Sequence, residues 1–226
     1  MKVLFISDIH ANYSALKTIE NQIIDSDLTI CLGDIVGYHC HVNEVIEIIR
    51  KHDVKCILGN HDFYLLNGIG GITKKINESV RFGLNIAERL ITKDNLDWLN
   101  NLPINFGLRL DGTSVLCCHG SPWNPVHEYI YEDSEKIENL KSFNYDFIAL
   151  GHTHRQYNVG DAPVIFNPGS VGQARDFEGI VCTAELDTAN NKLEFRQFDY
   201  DFKAEIEYSL KYGAKEWIYK HFKSRL

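Results

Sequence analysis

A chain of 226 residues, 44% of them hydrophobic and 24% charged, is long enough for one good-sized domain and short for two, so a single domain over 1–226 is expected. Its formal charge of −8 argues against an extended nucleic-acid surface, which needs a basic footprint, but not against a small phosphorylated substrate beside a metal ion. No apolar run reaches membrane-spanning length, the first is too short for a secretory signal, and the six cysteines form no C-x-x-C pair, so a cytoplasmic protein with reduced thiols and no membrane partner is expected.

The chain opens on Val3-Leu4-Phe5-Ile6, an apolar run too short for a helix, which stops at Asp8-Ile9-His10. Leu16, Ile19, Ile23 and Ile24 then recur at helical spacing and predict a helix over 14–25 capped by Ser14. Asn12, just ahead, is either a cap of the same helix or a phosphate contact. A second strand at 28–32 ends at Gly33-Asp34, and a second helix at 42–52 has Asn43 as its expected cap. A third strand at 54–58 ends at Gly59-Asn60-His61-Asp62. This alternation predicts right-handed crossovers and a mostly parallel sheet.

From 63 to 102 the pattern changes. Gly68-Ile69-Gly70-Gly71 reads as flexible, and helices are predicted over 77–91 and 93–101, the second stopped by Pro103. This segment is expected to be a helical insert after the third strand that covers the rim of the site as a lid; an exposed apolar face on it would mark a homo-oligomer. Strands at 105–110 and 113–118 flank Asp111-Gly112, a two-residue hairpin signal, and the second runs into His119-Gly120. A short helix near 133–142 precedes a strand at 146–150 that ends at Gly151-His152-Thr153-His154. Strands at 156–159, 163–166, 179–186 and 192–199 follow, with Asn190-Asn191 at the last hairpin, then a closing helix over 202–220 broken near Gly213. The sum is an α/β domain with two β-layers.

Five strand ends therefore deliver metal-grade side chains, and ligands of open α/β sheets bind just beyond the carboxyl ends of strands. Asp8 and His10 are two residues apart and would project to one side from extended backbone, as would His152 and His154. Taken singly, each residue has a plain reading as a turn or surface side chain. Together, Asp8, His10, Asp34, Asn60, His119, His152 and His154 are too many for one tetrahedral ion and suit two ions sharing a carboxylate.

Asp8-x-His10, Gly33-Asp34-x-x-Gly37-Tyr38, Gly59-Asn60-His61-Asp62, His119-Gly120 and Gly151-His152-Thr153-His154 resemble, in order and spacing, the signature of the calcineurin-like metallophosphoesterase superfamily. Asn167-Pro168-Gly169-Ser170-Val171-Gly172 and Arg196-Gln197-Phe198-Asp199-Tyr200-Asp201 resemble its small bacterial and archaeal phosphodiesterase branch. The resemblance spans nearly the whole chain and implies a four-layer α/β/β/α sandwich. It also implies that Asp8, His10 and His154 hold one divalent ion and Asn60, His119 and His152 a second, with Asp34 bridging; manganese, iron, zinc and nickel are the family's metals. His61 would be the general acid, oriented by Asp62. The implied reaction is hydrolysis of a small phosphodiester or nucleotide: hydroxide generated between cations about 3.5–4 Å apart attacks phosphorus. Protonation of the leaving alkoxide by His61 would be worth about 10²–10⁴-fold.

Arg175 is a candidate substrate contact, or else a loop salt bridge with Asp176; relatives commonly carry Pro where Ala174 stands. His39 and His41 read as solvated loop residues or as the lining of the pocket entrance, and Trp123 and Tyr129 as a stacking platform or as packing. Within the same chemistry, the alternatives are a phosphomonoesterase of the protein-phosphatase kind and a dinucleoside polyphosphate hydrolase. Those carry arginines after the Gly-Asp block and before Gly-Asn-His, where Gly37-Tyr38 and Leu58 stand here. The alternative of another class is a non-catalytic metal-binding scaffold like the related retromer subunit, which typically loses a ligand or the histidine; all are present in this chain.

Overall fold

A computed structural model describes residues 1–68 and 76–222. One five-stranded sheet is built from β1 (Lys2–Ile6), β2 (Leu28–Cys31), β3 (Lys55–Cys56), β9 (Ile180–Asp187) and β10 (Lys192–Asp199), in the order β10-β9-β1-β2-β3. The other holds β4 (Asn105–Leu110), β5 (Thr113–Cys118), β6 (Phe147–Leu150), β7 (Gln156–Val159) and β8 (Val164–Pro168), in the order β4-β5-β6-β8-β7. Strands β1, β2 and β3 pair in parallel, as do β5, β6 and β8; β4, β7, β9 and β10 join antiparallel. The sheets are thus parallel at their centres only, because the hairpins at Asp111-Gly112 and Asn190-Asn191 add antiparallel flanks.

Side-chain alternation sorts the strands into four layers. Val3, Phe5, Ile30, Leu32, Val115, Cys117, Phe147, Ala149 and Phe166 meet between the two sheets, where the Phe5 and Phe166 rings contact edge to face at 5.0 Å. The alternate residues Leu4, Ile6 and Cys31 face a helical layer, and Leu116, Ile148 and Ile165 face the opposite side, under α7 (Ile137–Leu140). The first helical layer comprises α1 (Tyr13–Thr18), α2 (Glu20–Asp25), α3 (Val42–Lys51), α5 (Glu78–Leu90), α6 (Lys93–Asn100) and α8 (Phe202–Lys211). A 3-10 turn over Glu216–Phe222 closes it. All six cysteines are buried as small apolar side chains.

The structure departs from the expected elements where distant contacts decide. The helix expected over 14–25 is two helices meeting at Ile19. Its cap is Asn12, not Ser14: the Asn12 side-chain oxygen accepts from the Ala15 amide at 3.0 Å. Asn43 lies inside α3 instead of capping it; its side chain donates to the Leu90 carbonyl and accepts from the Thr92 amide, tying α3 to the α5–α6 junction. The closing helix ends at Lys211, and the chain turns through Gly213 (φ +92°) into the 3-10 segment. Between β3 and β4 the described residues form α4 (Asn60–Asn67), α5 and α6; Leu84, Ala87 and Leu99 bury in the same core as Val45 and Ile49 of α3. Beyond Gly68, the Gly-rich stretch expected to be flexible lies outside the described residues.

Candidate metal centre

The five strand ends converge on one buried spot. Asp8, His10, Asp34 and His154 present ligand atoms within 4.8 Å of one another, and Asp34, His119 and His152 do the same. Asp34 belongs to both groups. Its Oδ1 accepts from the His61 amide at 2.8 Å, while Oδ2 has no hydrogen-bond partner and lies 3.7 Å from His10 Nε2 and 3.5 Å from His119 Nε2. Asp8 is held the same way. Its Oδ2 accepts from the Ser7 hydroxyl and the His152 amide, leaving Oδ1 bare and 3.2 Å from His154 Nε2. Asn60, the first residue of α4, places its side-chain oxygen 3.1 Å from His119 Nε2.

The imidazoles are set from behind. His10 Nδ1 meets the Val36 carbonyl at 3.2 Å, His119 Nδ1 the Leu32 carbonyl at 2.8 Å and His154 Nδ1 the Gln173 carbonyl at 2.8 Å. A carbonyl can only accept, so each ring carries a proton on Nδ1 and turns its Nε2 inward, the atom a metal would take. The inward nitrogens crowd together: His10 Nε2 lies 3.1 Å from His154 Nε2, and His119 Nε2 lies 3.2 Å from His152 Nδ1. Buried lone pairs at such distances repel unless something positive sits between them. The donor set of imidazole, carboxylate and amide oxygen fits a borderline divalent ion.

Burial and these contacts shift the ionisations. Burial opposes charge on Asp8 and Asp34, yet neighbouring imidazoles outweigh it, led by His154 for Asp8 and His119 for Asp34, so both carboxyls lie well below their usual range. Burial lowers His119 too, but Asp34 overrides it and lifts the imidazole to about 9. Burial with His119 alongside drops His152 to about 2, and burial with His61 alongside lowers His10. Without an ion, the two carboxylates therefore draw a proton onto His119; a divalent cation would displace it.

The backbone that achieves this is not the extended one expected. Strand β1 ends at Ile6, and Asp8, His10, Asp34, His152 and His154 all adopt left-handed φ values between +53° and +68°. Cross-loop hydrogen bonds impose that geometry: the Asp8 amide donates to the Gly33 carbonyl at 3.0 Å, and the His10 amide to the Asp34 carbonyl at 2.9 Å. The Asn167–Gly172 block clamps the other side. The Ser170 hydroxyl and the Gly172 amide both donate to the Asp8 carbonyl, and the Asn167 amide donates to the Gly151 carbonyl.

His61 lies at the same centre, with Nε2 3.9 Å from Asp34 Oδ2, but Asp62 does not orient it. The fully buried Asp62 carboxylate accepts from the Ile35 and Val36 amides at 3.0 Å and from the Gly59 amide at 2.9 Å, while His61 Nδ1 has no hydrogen-bond partner. Asp62 thus staples the Asp34 loop to the start of α4, because its place in the first helical turn points it back at the helix's own unpaired amides. Burial, with Asp34 adding to it, raises its carboxyl to about 7. What holds the His61 ring is Tyr38, stacked on it at 5.0 Å, and Gly37, where a Cβ would fall 2.2 Å from His61 Nδ1. Tyr38 is in turn pinned by α5, since a Cβ on Gly83 would stand 2.1 Å from the Tyr38 amide nitrogen. Gly37-Tyr38 was visible in sequence as part of a motif, but nothing local announced a ring clamp.

The remaining candidates divide. Asn12 is a structural residue: it is fully buried, and its amide donates to the Gly172 carbonyl and the Tyr200 hydroxyl, so no polar group of it faces the centre. Arg175 is exposed, within hydrogen-bonding reach of the Tyr38 hydroxyl. The salt bridge expected between Arg175 and Asp176 is absent among the described residues; Asp176 faces Arg155 instead, at 3.8 Å. His39 and His41 are not solvated loop residues. They pack against the fully buried Glu205 of α8, at 3.5 Å and 3.9 Å, on the helical side. Tyr129 stacks on His152 at 3.7 Å, whereas Trp123 packs near Phe143, away from the centre.

Comparison with known proteins agrees with this geometry. The model of the calcineurin-like phosphoesterase superfamily domain matches residues 1–190. An uncharacterised protein of Methanocaldococcus jannaschii is 30% identical over 236 residues, covering 96% of this chain and 95% of that one. A symmetrical bis(5'-nucleosyl)-tetraphosphatase of Baumannia cicadellinicola is 31% identical over 133 residues, which cover 55% of this chain and 44% of that protein. A crystal structure of a metallophosphoesterase from Sphaerobacter thermophilus aligns with a TM-score of 0.82 at 25% identity, covering 100% of this chain and 99% of that one. The chain belongs to the calcineurin-like phosphoesterase superfamily and is a phosphoester hydrolase. Among the described residues, no helix is long and apolar enough to cross a membrane.

Proposed function

We propose that this chain acts as one domain that hydrolyses a small phosphodiester or nucleotide with two divalent ions. The observation that carries the reading is the pair of inward-facing acceptor groups that meet at Asp34 Oδ2. Asp8, His10 and His154 would hold one ion, Asn60, His119 and His152 the other, with Asp34 between them. Ions held there would acidify a water and neutralise charge on the phosphoryl oxygens.

The chain's own residues supply the rest. His61 faces the centre with its Nε2, and its Nδ1 is committed to no partner, so the ring can deliver a proton to a leaving alkoxide. Burial lowers the His61 pKa even with Asp34 nearby, so the acid role depends on the negative charge of a bound phosphate beside the ring. Arg175, next to the Tyr38 hydroxyl, would donate to a non-bridging oxygen of the substrate.

A second reading, a dinucleoside polyphosphate hydrolase, has the named Baumannia relative behind it. It ranks lower because Gly37-Tyr38 and Leu58 stand where those enzymes carry phosphate-gripping arginines, and neither stretch offers a guanidinium. The test compares bis-p-nitrophenyl phosphate, p-nitrophenyl phosphate and diadenosine tetraphosphate under Mn²⁺, Fe²⁺, Zn²⁺ and Ni²⁺, with and without chelator. Chelator-sensitive hydrolysis that favours the diester is expected; no chelator-sensitive activity with any metal would refute the proposal.

A further inference from the structure

A cleft of about 700 Å³ opens beside the metal centre, along β7. Its inner wall continues the loop that bears His154, since Arg155 follows that residue directly. A ladder of rings makes a second link. Tyr129 stacks on His152 at 3.7 Å, and Tyr131 stacks on Tyr129 at 6.1 Å with the planes 8° apart. Tyr131 forms the cleft's near wall.

We infer that the cleft binds the base of a nucleoside phosphodiester, an inference that rests on the phosphodiesterase reading of the centre. Tyr131 and Phe177 leave 37% and 38% of their surface open at its rim, large for aromatic residues and suited to stacking against a flat ring. The Glu132 and Asp133 carboxylates line the cleft and make no hydrogen bond or ion pair among the described residues, so they offer acceptors to the exocyclic N–H groups of a purine. Charge excludes the main rival occupant. Arg155 is engaged, 3.8 Å from Asp176 and 6.0 Å over the Tyr131 ring, which leaves Glu132 and Asp133 uncompensated. A second phosphate would be repelled there, so the cleft fits a neutral base and not the continuing chain of a polyphosphate.

The test uses two diesters that share a five-membered cyclic phosphate and differ in the base: adenosine 2′,3′-cyclic phosphate and glycerol 1,2-cyclic phosphate. The Mn²⁺-loaded full chain is expected to prefer the adenosine ester in kcat/KM. Tyr131→Ala and Phe177→Ala, both at the exposed rim, should each reduce that preference by about tenfold, through KM, with the glycerol ester unaffected. A wild-type chain without preference, or a preference both variants retain, overturns the inference. Saturation-transfer NMR with adenosine, which has no phosphate, on the Zn²⁺-loaded chain separates this from the reading of the centre. If neither ester nor bis-p-nitrophenyl phosphate is hydrolysed under any of the four metals, the phosphodiesterase proposal fails. An adenosine signal seen with the wild type and abolished in both variants would still support the cleft, and no signal with the wild type would rule the cleft out.

Discussion

Replacing Asp62 by Asn separates a loop staple from a catalytic orienter. In the structure Oδ1 takes the Ile35 and Val36 amides, and Oδ2 takes the Gly59 amide at 2.9 Å. An asparagine that keeps its oxygen on Ile35 and Val36 turns its NH₂ toward the Gly59 N–H, donor against donor, in a fully buried site. One buried donor left unsatisfied costs about 1–3 kcal/mol, to which the loss of charge assistance on the remaining bonds adds. Asp62→Asn should therefore lower the urea unfolding free energy of the chelator-treated protein by at least about 1 kcal/mol. The same loops carry Asp34 and Asn60, so metal affinity should also fall, by about 10–100-fold as is usual when a partner behind the ligands is lost. Equilibrium unfolding with chelator and competition titration with a chromophoric chelator read the two effects. A variant with wild-type stability and metal affinity, impaired only on substrates with poor leaving groups, would refute the staple and restore Asp62 as the orienter of His61.

His61→Ala should slow alkyl diesters by about 10²–10⁴-fold and nitrophenyl esters far less, because nitrophenolate leaves without a proton; equal losses in steady-state assays would remove His61 from the acid role. At Gly37 (φ +105°) a methyl group would sit 2.2 Å from His61 Nδ1, so Gly37→Ala should reproduce the leaving-group signature of His61→Ala with metal affinity preserved. Unchanged kinetics in that variant would mean the ring is free to move. Burial raises Glu205 to about 8, so its contribution to stability is present below the ordinary carboxyl pKa and is lost as pH climbs through about 8. Wild-type Tm should accordingly fall from about pH 5 to about pH 8, and Glu205→Gln should flatten that fall; parallel Tm profiles would count against it.

What the sequence made legible was whatever local chemistry decides. Apolar runs closed by Gly or a polar residue located β1, β2, β5 and β6 and the residues just beyond them, and Asp111-Gly112 fixed the β4–β5 hairpin with both residues left-handed. What stayed hidden depended on partners far along the chain. Asn12 and Ser14 are both competent caps, and the choice fell to Asn12 because its amide also reaches Gly172 and Tyr200. His39 and His41 looked solvated because the buried carboxylate they face, Glu205, lies on α8. The resemblance paired Asp62 with His61, but a residue in the first turn points back at the helix start, and its carboxylate bonds the Gly59, Ile35 and Val36 amides instead.

The ligand loops carry the deepest disagreement between local preference and observed structure. Five ligand candidates hold left-handed φ values, a region that costs a residue with a side chain about 1–2 kcal/mol and that Gly would occupy freely. Glycine has no ligand atom. The conformation is retained because the turn it makes is what aims Asp8 with His10, and His152 with His154, from the ends of short strands into one volume. The cost is borne by bonds between neighbouring loops, Asp8 to Gly33 on one sheet and Gly151 to His119 on the other, and by one across the gap, from Ser170 back to Asp8. A protein shaped for stability alone would relax these turns and separate the facing lone pairs of His10 and His154. Strained backbone and opposed acceptors at the same residues have one common remedy, a cation at their centre, and that is why fold and metal affinity are coupled through these loops.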